Sequence, residues 1–232
     1  MNISILHPSL NSRGGSERVC LDTIEGLKER GHNVLLGTFE KTDWKSVEKY
    51  FGKVTKPDEE IIRPRVFGMS AYEETLNFHM LSSRMPKNCE VTIISCISPW
   101  FYCPPTKKTM IYMIPPLGYE KGWRRLYLKP YVFIQRSCLN KPKTKVLLTN
   151  SSSSAKVIED AYSMKPKVLY PPVDLRNLHP SKKDNLIVSV GRFNPFKRFE
   201  VLIKSLVDVD EGKCFIIGSL PRNASKGSVA YM

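Results

Sequence analysis

The chain has 232 residues, 41% of them hydrophobic and 25% charged, a composition that fits a folded globular protein and excludes a disordered or collagen-like one. No apolar run approaches the ~20 residues that span a bilayer, and MNISILHPSL lacks the basic start and apolar core of a secretory signal, so the expected location is the cytoplasm. The net charge of +14 is the strongest compositional anomaly and points to an anionic partner.

Asn2 to His7 reads as a buried strand, and Pro8 to Gly15 as a loop of breakers and polar residues. A helix from about Ser16 to Arg30 follows, with Val19, Cys20, the Thr23 methyl, Ile24 and Leu27 on one face. Gly31 should stop it as a left-handed cap. Val34 to Phe39 is the next strand and closes a βαβ unit. Residues 41 to 90 read only as mixed helices and loops. Val91 to Ser95 and Thr109 to Ile114 are short, apolar and β-branched, which predicts buried strands.

A basic, aromatic helical stretch runs from about Glu120 to Leu139, interrupted or begun at Pro130. Lys145 to Thr149 is a strand, Ser151 to Tyr162 a helix that its own serines can cap, and Lys167 to Tyr170 a short strand. The polar residues 173–184 read as an interdomain linker. The pattern then restarts with strand Asn185 to Val190, loop Gly191 to Phe196, helix Lys197 to Val207 and strand Cys214 to Ile217. This alternation predicts an α/β fold: a Rossmann-like, doubly wound parallel sheet over 1–172, and over 185–232 the first βαβ of a second such domain. A lone βαβ cannot bury both faces of its sheet, so the second domain is expected to be truncated here.

Gly14-Gly15 lies between a strand and a helix, where backbone amides and the helix dipole favour an anion and glycine permits close approach. The pair fits neither the dinucleotide fingerprint nor the P-loop, and a plain structural turn explains it as well. Gly191-Arg192-Phe193-Asn194-Pro195-Phe196-Lys197-Arg198 occupies the equivalent place in the second unit. Arg192 and Lys197 could converge on a diphosphate, or belong to a solvated loop with incidental bases.

The cysteines, Cys20, Cys89, Cys96, Cys103, Cys138 and Cys214, form no CxxC pair and have no histidine at zinc-ligand spacing, so no metal is expected and most should be buried thiols. His7 either lines the cleft beside Gly14 or is simply packed. Between Pro104 and Lys145 the only acid is Glu120. Within that block Trp123, Tyr127, Tyr131, Ile134 and Cys138 fall on one helical stripe, flanked by Arg124, Arg125, Lys129 and Arg136. The stripe either packs inward while the bases are solvated, or the segment meets an anionic membrane surface. No recognised nucleic-acid-binding motif is present, and nucleic acid is not the expected partner.

Three segments together resemble the family-4 retaining glycosyltransferases of GT-B fold. GGSERVCLDTIEGLKERGHNV is similar to their opening loop and helix, LLTNSSSSAKVIEDAY with VLYPPVDL to their passage into the linker, and LIVSVGRFNPFKRFEVLIKSL to the start of their second domain. The nearest-looking branch is the mannosyltransferase-like one acting on lipid-linked oligosaccharides or phospholipids. The resemblance implies transfer from a nucleotide-sugar to a glycan or lipid-linked acceptor with retention. It implies no cofactor or metal, and a protein peripheral at the inner membrane face.

Gly14 and Gly15 would then contact donor or acceptor phosphates in an acceptor-side domain, and Arg192 and Lys197 would hold the donor diphosphate. Two departures stand out. In the Tyr112-Met113-Ile114-Pro115-Pro116 stretch an isoleucine, Ile114, stands where many members carry histidine. The family's later Glu-x7-Glu motif has no counterpart after Gly218. The competing expectation is a truncated, non-catalytic GT-B-derived protein that binds a nucleotide or an anionic partner.

Overall fold

The computed structural model describes residues 1–68, 71–96, 108–114, 123, 126–130, 133, 144–173, 175, 179–209 and 211–218. Two compact units divide the chain, Met1–Val173 and Asp174–Met232.

In the first unit the elements are β1 (Asn2–Leu6), α1 (Gly15–Glu29), β2 (Asn33–Thr38), α2 (Trp44–Phe51), β3 (Glu59–Ile62) and α3 (Ala71–Ser83). They continue with β4 (Val91–Cys96), β5 (Lys108–Met113), β6 (Thr144–Thr149), α4 (Ser152–Tyr162) and β7 (Lys167–Val168). The seven strands form one sheet in the order β3-β2-β1-β4-β5-β6-β7. Every pairing in it is parallel.

Strand side chains alternate between the two faces, and both faces here are covered. Ile5, Val34 and Leu36 point to one side and pack with Cys20, Leu21 and Ile24 of α1 and Val47 of α2. Leu6 and Leu35 point to the other and pack with Phe78 and Leu81 of α3, Met85, and Ile158 and Tyr162 of α4. This is the doubly wound arrangement expected from the sequence. Gly37 is dictated by that packing: a Cβ there would lie 2.8 Å from Leu6 Cδ2 and 3.0 Å from Met85 Sδ.

Helix α1 ends as anticipated, with Gly31 at φ +73° and its N–H on Lys28 O. Ser151 caps α4, its hydroxyl oxygen accepting from Ser154 N at 3.1 Å. Strand β3 was not foreseen within 41–90. Its register is set from outside: Asp58 Oδ2 accepts from Val34 N at 2.7 Å and Glu60 Oε1 from Thr42 N at 3.0 Å.

The second unit holds β8 (Leu186–Val190), a 3₁₀ turn (Pro195–Lys197), α5 (Phe199–Ser205) and β9 (Lys213–Ile217), with β8 and β9 parallel. Among its described hydrophobic residues only Phe199 is buried, and Val190, Val207, Phe215 and Ile217 are exposed. Cys214, expected with the buried thiols, is exposed for the same reason, whereas Cys20 and Cys89 are buried. Cys103 and Cys138 lie outside the described residues, as do Arg124, Arg125, Tyr131, Ile134 and Arg136. Among the described residues no helix is long and apolar enough to cross a membrane.

Candidate functional site

In the first unit the chain turns from β1 to β2 on one side and later to β4 on the other. That reversal opens a crevice at the carboxyl ends of the strands, where open α/β sheets take their ligands. The loop from Pro8 to Gly14 sits there and is pinned to the loop after β2. Ser9 Oγ donates to Glu40 Oε1, Asn11 Nδ2 to Lys41 O at 3.0 Å, and Asp43 N to Asn11 Oδ1 at 2.9 Å. Arg13 is driven to φ +54°, a left-handed conformation costly for a residue with a Cβ.

Gly14 is the cap of α1, and its N–H donates to Glu17 Oε2 at 2.6 Å. Glu17 is buried. The chain's own carboxylate therefore occupies part of the anion-favouring position that the sequence assigns to Gly14. Gly15 is open: nothing lies within 4 Å of where its Cβ would be.

His7, directly after β1, is fully buried. Ser9 N donates to its Nδ1 at 3.3 Å, which leaves the proton on Nε2, and Nε2 makes no hydrogen bond among the described residues. Burial holds the imidazole down to a pKa of about 4, partly offset by the negative charge of Glu17. His7 is thus neutral at physiological pH and packed under the loop.

Beside the start of α1, Ser16, Val19, Ser95, Tyr112 and Ile114 line a shallow apolar hollow. Tyr112 is held by its hydroxyl, which donates to Leu169 O at 3.1 Å. Ile114, at the position where the resembled family has histidine, lines this hollow and brings no proton to it. Ser95 did not stand out in the sequence, and Tyr112 did so only as the start of the stretch containing Ile114; the two reach the hollow because β4 and β5 end beside each other.

In the second unit β8 ends at Gly191, whose N–H donates to Ile217 O at 2.9 Å. A Cβ on Gly191 would lie 3.5 Å from Lys197 Cγ and Cδ, so the lysine stem crosses the glycine while Arg192 follows it in the chain. Gly218 approaches so closely that a Cβ there would lie 1.8 Å from Gly191 O. Arg192 and Lys197 are both exposed. Neither enters an ion pair among the described residues, whereas Arg198 pairs with Glu200 at 2.6 Å. The two bases therefore flank the Gly191 backbone, where a Cβ would also lie 3.2 Å from Phe199 Cζ. Among the described residues no group of His, Cys, Asp and Glu is placed to hold a metal ion.

No protein-family model and no curated protein matches the chain. Solved structures do. The chain is similar to an alpha-glucosyltransferase in complex with UDP, at 13% identity and TM-score 0.51, over 99% of this chain and 60% of that one. The same holds for an alpha-glucosyltransferase in complex with UDP and a 13-mer DNA containing a central A:G mismatch, at 14% identity and TM-score 0.54, over 99% and 58%. The apo form of the lipopolysaccharide outer core galactosyltransferase WaaB gives 15% identity and TM-score 0.51, over 100% and 64%.

The fold is GT-B. At such identities the likeness is one of fold alone, and the chain spans about three fifths of the length of these transferases. The seven-stranded parallel sheet of the first unit is Rossmann-like.

Proposed function

We propose that the protein is a nucleotide-sugar-dependent glycosyltransferase of the family-4 retaining type. Likeness over nearly the whole chain to transferases solved with UDP is the observation that carries this reading. In it, Arg192 and Lys197 hold the donor diphosphate across Gly191, the arginine through its fork and the lysine as a point charge. Their charge stabilises the diphosphate as it leaves, with no cofactor or metal required. The Gly14-Gly15 loop faces donor or acceptor phosphates through Gly15 and the first turn of α1. The acceptor is a glycan or a lipid-linked glycan or phospholipid.

Titration of UDP- and GDP-sugars into the protein tests the donor role. Loss of one charge-assisted contact in Arg192→Ala should weaken binding roughly tenfold to a hundredfold. Equal affinity of the two proteins would refute the assignment. A second reading is favoured by Ile114, which leaves the hollow without a proton relay: a GT-B-derived binder that holds a nucleotide or an anionic partner and transfers nothing. Sugar transfer to supplied acceptors separates the two. One neighbour is complexed with DNA, so DNA belongs in that acceptor panel beside lipid-linked glycans.

A further inference from the structure

Two polar side chains of α3, Glu74 and Asn77, are buried, and both hold the exposed loop that follows β3. Asn77 Oδ1 accepts from Val66 N at 3.0 Å and from Phe67 N at 3.1 Å. Its Nδ2 donates to Phe67 O at 3.1 Å and to Gly68 O at 3.3 Å, so the amide is fully used on three consecutive residues. Glu74 holds Arg65 at two points, Oε2 accepting from Nε at 3.1 Å and Oε1 from Nη2 at 2.9 Å. The same guanidinium lies 4.4 Å from the centre of the buried Phe39 ring. A buried network with its partners in place fixes one conformation of the loop it holds.

That conformation shows an apolar pair to solvent, with Val66 58% and Phe67 42% exposed. The amide and carbonyl of Phe67 are both held while its side chain is left exposed. Beside it, a Cβ on Gly68 would lie 3.0 Å from Glu73 Oε2, so glycine lets that carboxylate stand against the loop. Because β3 runs parallel to β2 and β2 to β1, the loop stands at the carboxyl edge of the sheet. It is two strands, or about 10 Å, from β1. Phe39 joins it to the candidate site: Arg65 covers the Phe39 ring, and Phe39 N donates to Pro8 O at 3.1 Å in the loop after β1.

We propose that Phe67 forms a subsite for the acceptor glycan, on which a hexopyranose ring stacks. The flat face of a sugar presents C–H groups of slight positive charge, which the negative face of an aromatic ring attracts. Glu73 supplies an acceptor for the hydroxyls at the rim of that sugar. A protein partner would need roughly 800 Å² on this side, far more than two loop residues offer. The choice of a sugar as occupant rests on the glycosyltransferase reading; the rigidity and exposure of the loop do not.

Ligand-detected NMR titration of the full chain with methyl α-glucopyranoside, methyl α-galactopyranoside and methyl α-mannopyranoside tests the proposal. At least one should bind, and Phe67→Ala should weaken it about twofold to tenfold, the worth of one aromatic contact. Phe67→Trp keeps a stacking face and should bind at least as well as wild type. Since Phe67→Ala removes an exposed side chain, its thermal unfolding should stay close to wild type, which separates lost binding from lost folding. Failure of all three glycosides to bind, or equal binding by wild type and Phe67→Ala, overturns the proposal. So does uridine binding that Phe67→Ala abolishes while glycoside binding persists, since the ring would then be a base platform. UDP- and GDP-sugar titrations run in parallel. A failed donor reading shows as donors that do not bind wild type, a failed subsite as glycosides indifferent to Phe67.

Discussion

Neutral His7 makes the protein's stability depend on pH. Burial lowers its pKa from 6.5 to about 4. Between those values the unfolded chain binds a proton at His7 and the folded protein does not, so stability rises with pH across the window and is lost as pH falls through it. Each pKa unit is worth about 1.36 kcal/mol, so the full difference is about 3 kcal/mol, of which about 2 kcal/mol is lost between about pH 7 and about pH 4.5. Asp58 acts elsewhere: the Lys28 ammonium and the Val34 N–H hold its carboxyl below its usual 3.8, so its contribution falls away only at lower pH.

Urea unfolding of the wild type and His7→Gln at several pH values isolates the histidine. Gln is close to histidine in size and does not titrate. The wild-type-minus-variant difference should therefore shrink by about 2 kcal/mol on acidification from about pH 7 to about pH 4.5. A difference flat to within about 0.5 kcal/mol would refute the reasoning, since it would mean that His7 gains its proton as easily folded as unfolded.

Gly37→Ala should cost about 1–3 kcal/mol by overpacking, seen as a lower Tm, and Met85→Ala in the same chain should recover part of it. If Gly37→Ala alone is as stable as wild type, the sheet and α3 are looser than the 2.8 Å approach to Leu6 implies. Glu17→Gln keeps a group that can accept from the Gly14 N–H but removes the charge from the start of α1. Pyrophosphate affinity at the loop should then rise roughly threefold, as expected for a helix-dipole site relieved of its own carboxylate. Unchanged or weaker affinity would show that Glu17 does not compete with an anion.

The parts of the fold legible in the sequence are those whose information is local. Ile5 and Leu6, neighbours in the chain, serve opposite faces of the sheet, and such continuous apolar runs mark strands covered on both sides. Gly31 and Ser151 announced helix ends because their roles need only their own backbone or side chain. Strand β3 was not legible: its Glu59-Glu60-Ile61-Ile62 carries no strand pattern, and it is held by Asp58 and Glu60 reaching residues far along the chain. The same division runs through the candidate site. Gly14-Gly15 and the Arg192–Lys197 spacing could be read directly, since a glycine pair and a fork of bases are chemical signals in themselves. What Gly14 actually does could not, because it depends on where Glu17 folds back. The spacing of glutamate three residues after a helix cap was present in GGSE, and read as a capping box it would have warned that the Gly14 amide is already engaged. Any anion at this loop must therefore be held by what Glu17 leaves exposed, Gly15 and the first turn of α1, with the apolar hollow beside it setting which substituents fit.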